Sequence, residues 1–123
     1  MTKINPEQDL SLITGRLEDP YDVPALTGDC DILVEAFDKA ESKAVFVSGA
    51  LPTGKPVIAA SGIAGFGNTD DIVVSHPQNN LYLVGNGVSD VSKVPPLAPR
   101  VMLTAAKQAY LVLEIVLTNY CCI

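Results

Sequence analysis

Residues 31–61 decide the fold. They begin Asp31-Ile32-Leu33-Val34-Glu35-Ala36, switch to the helical composition of residues 39–51, and close with Pro56-Val57-Ile58-Ala59-Ala60-Ser61. The first and last pieces are short apolar runs, which suits strands buried on both faces. The middle piece carries Lys39, Ala40, Glu41, Lys43, Ala44, Val45, Phe46, Ala50 and Leu51, and Pro52 and Gly54 stop it. Strand, helix, strand at this spacing predicts a right-handed βαβ unit with parallel strands, hence an α/β domain.

Further strands are expected around this unit. Gln8-Asp9-Leu10-Ser11-Leu12-Ile13-Thr14 alternates enough to predict one over residues 8–14. Residues 15–28, with Pro20 and Pro24, leave room for one helical turn near Ala25-Leu26. Asp71–Ser75 and Leu81–Val84 predict two short strands, and the turn-rich spacer His76–Asn80 suggests antiparallel pairing. Residues 62–67 form a glycine-rich crossing and residues 85–99 a loop. Pro99-Arg100 opens a last helix running to about Asn119 that is apolar on nearly every face, and such a helix needs cover all round.

Composition narrows the function classes. The 123 residues suffice for one domain, with 48% apolar and 18% charged residues, so the chain is not a disordered polar segment. Net charge is −6, and residues 7–41 hold ten acids against Arg16 and Lys39, so a phosphate backbone is repelled and nucleic acid is not an expected partner. No run of eighteen apolar residues occurs, so no membrane span is expected. The first six residues, Met1 to Pro6, lack the apolar stretch of a signal peptide. Cys30, Cys121 and Cys122 make an odd set with two at a terminus, which is no disulfide framework and points to a reducing cytoplasm. Mean hydropathy of +0.29 is high for a small acidic chain, a surplus of apolar surface that needs covering.

Among candidate chemical groups Asp38 stands first. It lies just past the C-terminal end of strand 31–36, where open α/β sheets bind ligands, and a carboxylate there can hold hydrated Mg²⁺ on nucleotide phosphates. It is equally placed to cap helix 39–51, with Glu41 completing a capping box. Gly62-Ile63-Ala64-Gly65-Phe66-Gly67 reverses the dinucleotide fingerprint and precedes a strand, so a structural turn is expected there. His76 reads as a surface histidine, and Cys121-Cys122 lacks the spacing and second pair of a zinc site. Cys30 sits between Asp29 and Asp31, whose charges oppose thiolate formation. Arg100 could face an anion or be solvated. Glu35, inside a buried strand, needs a partner or an edge position.

The stretch Cys30–Ala44, with Val34-Glu35-Ala36-Phe37-Asp38-Lys39-Ala40 at its centre, resembles the ThiF/HesA/MoeB family of E1-like enzymes, closest to short ThiF proteins of thiamine biosynthesis. Val57–Gly67, Leu81–Ser89 and Leu97–Val101 extend the resemblance in the same order, from about Asn5 to Leu117. The resemblance implies the C-terminal portion of a Rossmann-like domain spanning residues 1–123, with a parallel βαβ core and a few antiparallel strands. It also implies ATP-dependent adenylylation of the C-terminal glycine of a ubiquitin-like sulfur carrier. Asp38 matches the family's Mg²⁺–ATP aspartate, and Ala36 and Phe37 match the backbone that borders the nucleotide. The family's opening βαβ unit, with its glycine-rich phosphate loop, acidic ribose contact and basic ATP residues, has no counterpart, so this half is not expected to turn over alone. A sulfur-transfer cysteine and the paired zinc cysteines have no counterpart either. The expected partners are the carrier protein and either a complementing N-terminal half or further copies of the chain. Two alternatives are a non-enzymatic docking module for the carrier and an unrelated small α/β dimerisation domain.

Overall fold

The computed structural model describes residues 4–61, 70, 72–85 and 97–120. In chain order these form α1 (Asp22–Leu26), β1 (Leu33–Val34), α2 (Ala40–Ala50) with a 3₁₀ turn at Leu51–Thr53, β2 (Val57–Ala60), β3 (Val73–Gln78), β4 (Leu81–Gly85) and α3 (Ala98–Tyr120). The four strands make one mixed sheet in the order β1-β2-β4-β3. β1, β2 and β4 run parallel, and β3 is an antiparallel edge strand on β4. The β1–α2–β2 unit read from the sequence is present, and so is the antiparallel pair.

The β-strand period of two sorts the core into two layers. Val57 and Ala59 of β2 and Leu81 of β4 pack with Leu33, Val23, Phe46 and Ala50 on the α1/α2 side. Ile58 and Val84 turn to the other face and meet Ile72 and Leu111 of α3. β2 is buried at all four positions because it has a strand on each side and a helical layer on each face.

Several expectations need correction. Residues 8–14 form no strand: they run as exposed coil, because alternation alone does not pair a segment. β1 is shorter than residues 31–36: its last bond to β2 is from the Glu35 N–H to the Ile58 carbonyl at 2.8 Å, and the chain turns away after it. β3 extends through the expected spacer to Gln78, leaving Asn79-Asn80 as a two-residue turn. Pro77, which cannot donate to a ladder, is accommodated on the sheet edge where the register shifts between Ser75 and Gln78. The glycine-rich crossing 62–67, Cys121-Cys122 and most of loop 85–99 lie outside the described residues.

The C-terminal helix also changes one expectation. Ala98–Asn119, 22 residues, is long and apolar enough to cross a bilayer by length and composition, although no unbroken apolar run marks it. Length and composition cannot separate a span from a helix packed on a sheet. Here Arg100, Thr104, Gln108 and Leu111 are buried against the fold, at intervals that place them on one helical face.

Two glycines permit close approaches that a Cβ would block. On Gly49 a Cβ would stand 2.1 Å from Pro20 O, at the crossing of α1 and α2. On Gly85, at φ +132°, it would stand 1.7 Å from Ser61 O, where the ends of β2 and β4 meet. Gly54, at φ +75°, has open space around it. Gly85→Ala is therefore expected to cost about 3 kcal/mol in urea unfolding, and Gly54→Ala only about 1 kcal/mol. Equal losses would remove the argument from close approach.

Candidate functional site

The three parallel strands present their C-terminal ends along one edge of the sheet: Glu35–Asp38 after β1, Ser61 after β2, and Gly85 at the end of β4. Ligands of open α/β sheets bind outside such carboxyl ends. The edge is shaped by one buried carboxylate. Glu35 is 0% exposed, and its Oε1 accepts the Phe37 backbone N–H at 2.5 Å. Its Oε2 accepts the Ala60 N–H at 3.3 Å and Lys43 Nζ at 3.2 Å. Lys43 also donates to Ala60 O at 3.3 Å.

This network explains the local course of the chain. A buried carboxylate must be charge-paired and hydrogen-bonded. Pulling the Phe37 N–H back onto Glu35 turns the chain out of β1 after two ladder residues. Lys43, one turn into α2, reaches down to the same carboxylate and fixes α2 against the ends of β1 and β2. From the opposite face, Gln108 of α3 donates to the Glu35 carbonyl at 3.0 Å. The sequence already demanded a partner for Glu35; Lys43 was missed, although α2 has no other basic residue.

The turn leaves Ala36, Phe37 and Asp38 exposed at the sheet edge. Asp38 does not cap α2: the cap position falls on Lys39, in extended conformation, and no side chain caps the helix. The capping alternative is thus set aside. Among the described residues nothing hydrogen-bonds the Asp38 carboxylate, and no group of three or more His, Cys, Asp or Glu could hold a metal. A single solvated carboxylate fits hydrated Mg²⁺ that arrives on phosphates, because Mg²⁺ keeps several waters and takes few protein ligands. It does not fit a resident metal.

Phe37 also packs obliquely on Phe46, with ring centroids 5.8 Å apart. Both rings line an open cleft of about 570 Å³ between α1 and residues 13–17. Leu17 and Leu26 give it apolar walls, and Arg16 and Asp22 are its charged groups. The coil that fails to be a strand therefore builds one wall of this cleft.

The other candidates sit in varied surroundings. His76 is exposed on β3, stacked on Tyr82 with centroids 4.2 Å apart, as a surface histidine should be. Arg100 is buried in the first turn of α3 and is not a solvated side chain. Cys30 is exposed. The chain matches no family model, and no curated protein or solved structure is significantly similar to it. The resemblance to the ThiF family is carried by the quoted residues alone.

Lys43→Met leaves the Glu35 carboxylate buried without its cation and is expected to cost about 3 kcal/mol by urea unfolding. Pairing it with Glu35→Met, which removes the charge as well, should recover part of that loss. Additive losses would show that the ion pair does not hold the two strand ends.

Proposed function

We propose that this chain is the sheet-forming portion of a ThiF-type adenylyltransferase, acting on the C-terminal carboxylate of a ubiquitin-like sulfur carrier. The observation that supports this most is the exposed Asp38 carboxylate at the C-terminal end of β1, on a turn that the buried Glu35 holds in place. The carboxylate is not engaged as a helix cap.

The chain's own residues have defined tasks in this reading. The backbone of Ala36 and Phe37 borders the nucleotide, and the Glu35 network keeps that stretch from shifting. Asp38 orients the hydrated cation that accompanies the triphosphate. ATP supplies the activating group: the carrier carboxylate displaces pyrophosphate at the α-phosphorus, giving an acyl-adenylate. Mg²⁺ when bound neutralises charge on the phosphate oxygens.

Stabilising that displacement also requires donors around the phosphates. The sequence holds no Gly-x-Gly-x-x-Gly turn between a strand and a helix, so a complementing segment supplies the donors in this reading.

Titration calorimetry with Mg-ATP and with a carrier protein tests the reading. Weak Mg-ATP binding and clear carrier binding are expected. Asp38→Asn should weaken nucleotide binding about tenfold and shift stability by less than about 0.5 kcal/mol. Nucleotide affinity that ignores this substitution, or absence of binding to both ligands, overturns the proposal.

A further inference from the structure

We draw no further inference here: the strongest candidate, the outer edge of strand β1 (Leu33–Val34), which has no strand beside it among the described residues, carries nothing because nothing in the structure shows what covers it.

Discussion

The buried carboxylate of Glu35 is the constraint on which the rest of the sheet edge depends. Its two oxygens gather the Phe37 N–H, the Ala60 N–H and the Lys43 ammonium, so that β1, β2 and α2 meet at one point. A charge removed from water is tolerated only when paired and hydrogen-bonded, so these three partners cannot drift independently. An apolar residue here could accept neither the Phe37 nor the Ala60 N–H, and the turn after β1 would lose both bonds. Specifying that turn is what the ion pair contributes, and the turn is what exposes Ala36, Phe37 and Asp38.

A second feature follows from the same point. Gln108 reaches the Glu35 carbonyl from the far face of the sheet, so α3 is attached through a polar side chain at the site end. Its remaining inward contacts are Leu111 on Ile58, Ile72 and Val84, with Val112 and Ile115 beside them. Thr104, Lys107 and Gln108 share the inward side of α3 with these apolar residues, while Met102, Leu103, Tyr110, Leu113 and Leu117 stay exposed. The exposed apolar side chains fall mainly in three places: the N-terminal segment with Ile4, Leu12, Ile13 and Tyr21, the β3 edge with Val73 and Val74, and α3 with Met102, Tyr110 and Leu113.

The legible part of the fold was the part fixed by local pattern. The continuous apolar run Val57–Ala60 could only be a fully buried strand, and Pro52 with Gly54 could only end a helix. Residues 8–14 show the limit, because alternation predicts a strand wherever a neighbour exists, and the sheet's β1 edge offers just two ladder residues. Asp38 stands four residues beyond the end of β1 rather than directly after it, and its capping role could not be judged from spacing. One residue of shift in the helix start moves the cap to Lys39. Lys43 was not legible as the partner of Glu35, since the contact depends on how α2 docks.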